Sequence, residues 1–94
     1  MARSETRFEI GSVVATPSAL ALLADCGQSP MEFVTRHQQG DWGSLSAEDR
    51  KLNEQAIESN ERLISAYLTD SADRIWVITE ADRSSTTILL PEEY

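Results

Sequence analysis

Residues 62–90 read RLISAYL TDSAD RIWVITE ADRSS TTILL, and this stretch decides the fold. Three short runs rich in β-branched and aromatic residues are separated by two polar links. The links are too short to hold a crossover helix. The pattern therefore predicts an antiparallel meander with strands over residues 62–68, 74–80 and 86–90. Pro91 stops the third run.

Working back from this unit, the period turns helical. Ser46 followed by Asp49 has the form of a capping box, and the helix it opens runs to about Ser59. Leu52, Ala56 and Ile57 would face inward, with Glu48, Arg50, Lys51, Glu54 and Glu58 outward. Asn60 is placed for a left-handed stop. Ser29-Pro30, with Glu32 three residues after the serine, opens an earlier helix that presents Met31, Phe33, Val34 and His37 and ends at Gln38-Gln39-Gly40. Thr16-Pro17 starts another, made apolar by Leu20, Leu22, Leu23 and Cys26 and ended by Gly27. Before it, residues 8–15 (FEIGSVVA) read as a strand bent at Gly11. The expected architecture is α+β: an N-terminal strand and three helices, then a three-stranded antiparallel meander. The expected inner side holds Leu20, Leu23, Phe33, Leu52, Ile64, Trp76, Ile78 and Leu89.

At 94 residues the chain fits a single domain over 1–94, with residues 1–7 expected to be flexible. An apolar fraction of 40% is enough for a modest core and argues against general disorder. One cysteine permits no internal disulfide, which favours a reducing compartment. The basic residues of the first ten are followed by no apolar run, and no stretch approaches a bilayer span. The expected location is the cytoplasm.

Charge is the unusual bulk property, with sixteen acids against eight bases and a formal net charge of −8. Residues 1–40 carry four acids and three bases, a net of −1, whereas residues 41–94 carry twelve and five, a net of −7. Such a field repels phosphate backbones and attracts basic surfaces. Direct nucleic-acid binding is therefore not expected. Solubility alone would also account for it.

The segments VVATPSAL (13–20), RHQQGDWG (36–43), ERLISAY (61–67) and IWVITEADRSSTTILLPEEY (75–94) together resemble a family of short bacterial proteins carried on plasmids and integrative elements. Its members are usually labelled plasmid-related, sometimes as a restriction-modification subunit. The resemblance implies a mobile-element setting and brings no activity or site residues with it. Asn60 departs from the glycine expected there, and asparagine can hold the same left-handed conformation. The chain lacks the glycine-rich cofactor loop and the Asn/Asp-Pro-Pro-aromatic motif of a DNA methyltransferase subunit.

Candidate chemistry is sparse. Residues 79–87 gather Glu80, Asp82, Arg83, Thr86 and Thr87 around a strand connection. Arg83 could bind an anion there while Glu80 acts as general base and Thr86 or Thr87 orients a substrate. Alternatively, the segment is a turn in which Asp82 and Ser84 bond local backbone. His37, the only histidine, would complete a ribonuclease-like set with Glu80 and Arg83, or would sit structurally near a helix end. Trp42, Trp76 and Tyr67 could form a stacking platform or fill the core. Trp76 is expected buried in its strand, and Trp42, between Asp41 and Gly43, is the exposed candidate. Cys26 reads as core. One histidine and one cysteine make no zinc site, no Ca²⁺-loop spacing occurs, and no cofactor motif is present.

Two readings of function follow. The first is a small acidic non-enzymatic interaction protein that binds a basic protein surface, such as that of a host-defence nuclease, in the manner of anti-restriction or anti-CRISPR proteins. Its partner-binding residues would be Trp42 as anchor with Glu48, Glu54, Glu58, Glu92 and Glu93 around it. The second is a hydrolase using His37, Glu80, Arg83 and Thr86. Association with a second copy is open in either case.

Overall fold

Each helix begins where a side-chain oxygen meets the helix's first unpaired amides. The computed structural model describes residues 6–94, and its elements run β1 (Ser12–Ala15), α1 (Pro17–Cys26), α2 (Pro30–Gln38), α3 (Ala47–Ser59), β2 (Leu63–Leu68), β3 (Arg74–Thr79) and β4 (Ser85–Leu89), closed by a 3-10 turn at Pro91–Glu93. The Thr16 hydroxyl accepts from Ala19 N at 3.1 Å and the Ser46 hydroxyl from Asp49 N at 3.1 Å. Ser29 caps too, but one residue earlier, from Met31 N at 3.2 Å. Glu32 does not complete a box. Its carboxylate accepts from the Gln28 amide instead. Asn60 ends α3 in the left-handed conformation, at φ 55°.

Strand order is β1-β4-β3-β2. The three C-terminal runs pair antiparallel, with Leu63 opposite Thr79 and Trp76 opposite Leu89. The sheet nevertheless has four strands and is mixed, because β1 joins β4 in parallel. Only residues 12–15 of the expected 8–15 strand pair, since at Gly11 the backbone turns to φ 63° against Ser84.

Register divides the side chains between two faces. Leu63, Ser65, Tyr67, Ile75, Val77, Thr79, Thr86 and Ile88 share one face, because directly opposed residues point the same way. α1 and α2 close this face: Ala19, Leu23, Phe33 and Val34 pack on Tyr67, Ile75, Val77 and Ile88, all buried. α3 lies along the β2 edge instead, where Ala56 and Ile57 cluster with Trp42, Phe8 and Leu63. The Asn53 amide covers that edge by bonding both Ile64 O (2.7 Å) and Ile64 N (3.3 Å). Residues 42–44 cover the next stretch, through Ala66 N to Trp42 O and Ser44 N to Ala66 O. This approach requires Gly43: at φ 75°, a Cβ there would lie 1.8 Å from Ala66 O.

Several expectations about the core need correction. Leu23, Phe33, Ile78 and Leu89 are buried as expected, but Leu20, Met31 and Leu52 are exposed. Ile64 and Trp76 are only half-buried, and so is Cys26. α1 buries only Ala19 and Leu23, so it is half-covered, not enclosed. Of residues 1–7, expected to be flexible, 1–5 lie outside the described residues. Arg7 is held, with its amide on Gln38 O and its guanidinium on Glu54. No described helix is long and apolar enough to cross a membrane.

Candidate functional site: a groove on the open face of the sheet

The second face of the sheet carries Ile64, Ala66, Trp76, Ile78 and Leu89, and neither α1 nor α2 packs there. Between this face and α3 runs a groove of about 480 Å³. Helical spacing sets one wall: Asp49, Leu52, Asn53, Ala56 and Ser59 fall on one side of α3. The sheet supplies Ile64 and Trp76. Leu52 stands at the lip, 57% exposed.

The far wall is Tyr94, brought there as the chain folds back after β4. Glu93 Oε1 fixes that return by accepting from Leu90 N and from the Thr16 hydroxyl, each at 2.8 Å. These bonds hold the Glu93 carboxyl below its usual range. The Tyr94 ring meets Trp76 edge-on at 5.4 Å, and its hydroxyl accepts from Arg62 Nη1 at 2.8 Å. Arg62 also pairs with Glu80 at 3.1 Å. The groove is thus apolar below, and its cation is already committed. Leu45, Gln55 and Glu61 complete its lining, and no described cation pairs with Asp49 or Glu61.

The expected anchor is elsewhere. Trp42 is 4% exposed, stacked on Phe8 at 6.0 Å, with its indole N–H on Glu54 at 3.0 Å. Trp42 cannot reach a partner, because the turn that carries it is pressed against the β2 edge. Trp76, half-buried, keeps the accessible surface expected of Trp42. The two exchange roles because β3 has apolar residues at 75, 76, 77 and 78. Ile75 and Val77 take the closed face, leaving Trp76 on the open one. Nor do Trp42, Trp76 and Tyr67 form one platform, since Tyr67 is buried with its hydroxyl donated to Asp41 O at 2.6 Å.

The acids also divide. Glu48 and Glu58 are exposed on the outer side of α3. Glu54 is not free: Arg7 donates to both its oxygens, at 2.8 and 2.6 Å, and that pairing lowers its carboxyl pKa, with Trp42 adding to the effect. Glu92 is exposed near Leu22 and Arg74, away from the α3 groove.

His37 is fully buried. Its Nδ1 lies 2.5 Å from Ser65 Oγ and its Nε2 2.9 Å from Thr79 Oγ1. Thr79 Oγ1 lies 2.7 Å from Thr86 Oγ1, which donates to Ile10 O at 2.8 Å. The last acceptor fixes every proton in the string. Thr86 spends its hydrogen on the carbonyl, so Thr79 donates to Thr86 and His37 Nε2–H donates to Thr79. Nδ1 is left to accept from Ser65. Burial, reinforced by the charge of Arg83, pushes the imidazole pKa down to about 3. His37 is a neutral structural tie between α2 and the sheet.

The hydrolase set does not converge on an open cleft. His37 and Thr86 have no exposed surface, whereas Glu80 is committed to Arg62. Arg83 donates to the carbonyls of Ala56, Glu61, Glu80 and Ala81, so it caps the C-terminal end of α3. Ser84 N on Asp82 Oδ1 at 3.0 Å makes residues 80–85 a side-chain-closed turn. Among the described residues, no three His, Cys, Asp or Glu side chains gather as metal ligands.

No protein-family model, curated protein or solved structure matches this chain.

Proposed function

We propose that this chain is a non-enzymatic protein-binding domain that receives a basic partner surface in the groove between α3 and the open face of the sheet. The observation that carries this reading is the groove itself, with Trp76 and Ile64 below, Leu52 at its lip, and the carboxylates of Asp49 and Glu61, paired with no described cation, in its lining. A half-buried aromatic in an apolar depression, with two carboxylates beside it, combines an anchor for lasting affinity with a field that accelerates encounter. The overall charge of −8 acts in the same direction. In the mobile-element setting implied by the family resemblance, the partner is a host-defence nuclease whose DNA-binding surface the acidic domain occupies. A surface that evolved to meet phosphates carries the basic residues that Asp49 and Glu61 attract.

The test is capture from the native host on the immobilised chain, in parallel with Leu52→Lys. The expected result is a basic protein retained by the wild type and lost from the variant. Its association should slow as salt rises, and slow further in an Asp49→Asn, Glu61→Gln variant. A partner that binds Leu52→Lys as well as wild type rules the groove out.

A further inference from the structure

Resting on that reading, we infer that the occupant of the groove is an α-helix, amphipathic and basic, contributed by a partner protein. The argument begins with what the walls can offer. The walls offer no free strand edge: β3 lies between β2 and β4, and on the outer edge of β2 Ile64 is bonded by the Asn53 amide and Ala66 by residues 42–44. Asn53 spends both its amide groups on Ile64, and Arg62 is spent on Glu80 and Tyr94. An extended peptide laid here would find no strand edge, and its own amides and carbonyls would be desolvated without partners. A helix satisfies its backbone internally and asks the groove only for side-chain contact. Beside the neutral side chains of Gln55 and Ser59, the charged groups that no described cation engages are the carboxylates of Asp49 and Glu61, which are acceptors and anionic. The side chains they select are Lys and Arg flanking an apolar stripe.

Length agrees with this. α3 has 13 residues, and a helix laid along it would present about 20 Å, enough for apolar anchors at i, i+3 or i+4, and i+7. A second copy of this chain fits poorly. It brings another charge of −8, and α3, its longest helix, carries acids where the groove needs bases.

The experiment is selection of a displayed random library of about 16-residue peptides on the full chain, a length chosen to span the wall. Each winner is then measured against Leu52→Lys. Leu52 is exposed, so this variant should fold, and melting curves verify that it does. Ser59→Trp, at another exposed position on the same wall, is the second variant should Leu52→Lys melt early. Expected winners carry Lys or Arg beside apolar residues at helical spacing. They should lose at least about tenfold in affinity with either variant, and as much when proline is placed at their centre. Winners with alternating or proline-rich apolar residues that still lose affinity on Leu52→Lys would overturn the helix while leaving the groove reading intact. Winners indifferent to both variants, or none at all, would overturn the two together. Concentration-dependent self-association abolished by Leu52→Lys would make the occupant a second copy and overturn the inference.

Discussion

The two faces of the sheet share strands, and one of them is finished. On the closed face α1 and α2 bury Tyr67, Ile75, Val77 and Ile88, and even the polar side chains are used up in the string from Ser65 through His37 and Thr79 to Thr86. On the open face Trp76 and Ile64 stay half-exposed beside a groove, with Leu52 standing free at its lip. The closed face is buried throughout, whereas on the open face Ala66, Ile78 and Leu89 are buried and Ile64 and Trp76 keep exposed surface.

The largest effect expected from this contrast is at His37. His37→Ala opens a cavity and strips Ser65 of its acceptor, so it should cost about 3–5 kcal/mol in denaturant unfolding. A loss under about 1 kcal/mol would mean that the string contributes little.

Acid should act through the same residue. The unfolded chain takes up the imidazole proton near its ordinary pKa of 6.5, whereas the folded chain resists it down to about 3. The contribution of a neutral His37 is thus complete above pH 6.5 and is lost as pH falls through that window. Between pH 7 and about 4.5 the expected loss from this group is roughly 2–3 kcal/mol. His37→Ala should remove that dependence, which equilibrium unfolding at stepped pH would reveal.

Trp76→Ala should cost less than truncation of a buried aromatic. We expect about 1–2 kcal/mol, against about 3–5 for Phe33→Ala on the closed face. Equal losses would erase the distinction between the faces. Smallest of all, Leu52→Lys should change stability by no more than about 0.5 kcal/mol while abolishing partner binding.

Much of this division was readable in advance, and its limits are instructive. The three C-terminal strands begin and end within one residue of where alternation and polar links put them, because those signals are local. Thr16, Ser29 and Ser46 cap their helices, and Asn60 adopts the left-handed stop, for the same reason. The phase of β3 was not readable: four consecutive apolar residues, 75–78, carry no alternation, so Trp76 could be assigned to either face. The parallel pairing of β1 with β4 joins residues more than seventy positions apart, and no local signal reports it. Trp42 sits among Gly40, Asp41 and Gly43, a setting that looks like a surface turn. Its burial follows only from the approach of residues 42–44 to β2. Asn53 was missed as well, since a helix asparagine that caps a strand edge looks like any polar helix residue. The groove depends on the lateral position of α3. It therefore became visible only with the fold.

The two tryptophans lie on opposite sides of this division, which allows one direct measurement. Fluorotryptophan-labelled protein gives two fluorine resonances, assigned by Trp42→Phe and Trp76→Phe. The labelled chain would be titrated with a selected basic peptide or the captured partner. The account expects the Trp76 resonance to move with saturation while that of Trp42, buried beneath α3, stays in place. Movement of Trp42 with Trp76 unchanged would contradict it and place the binding surface away from the open face of the sheet.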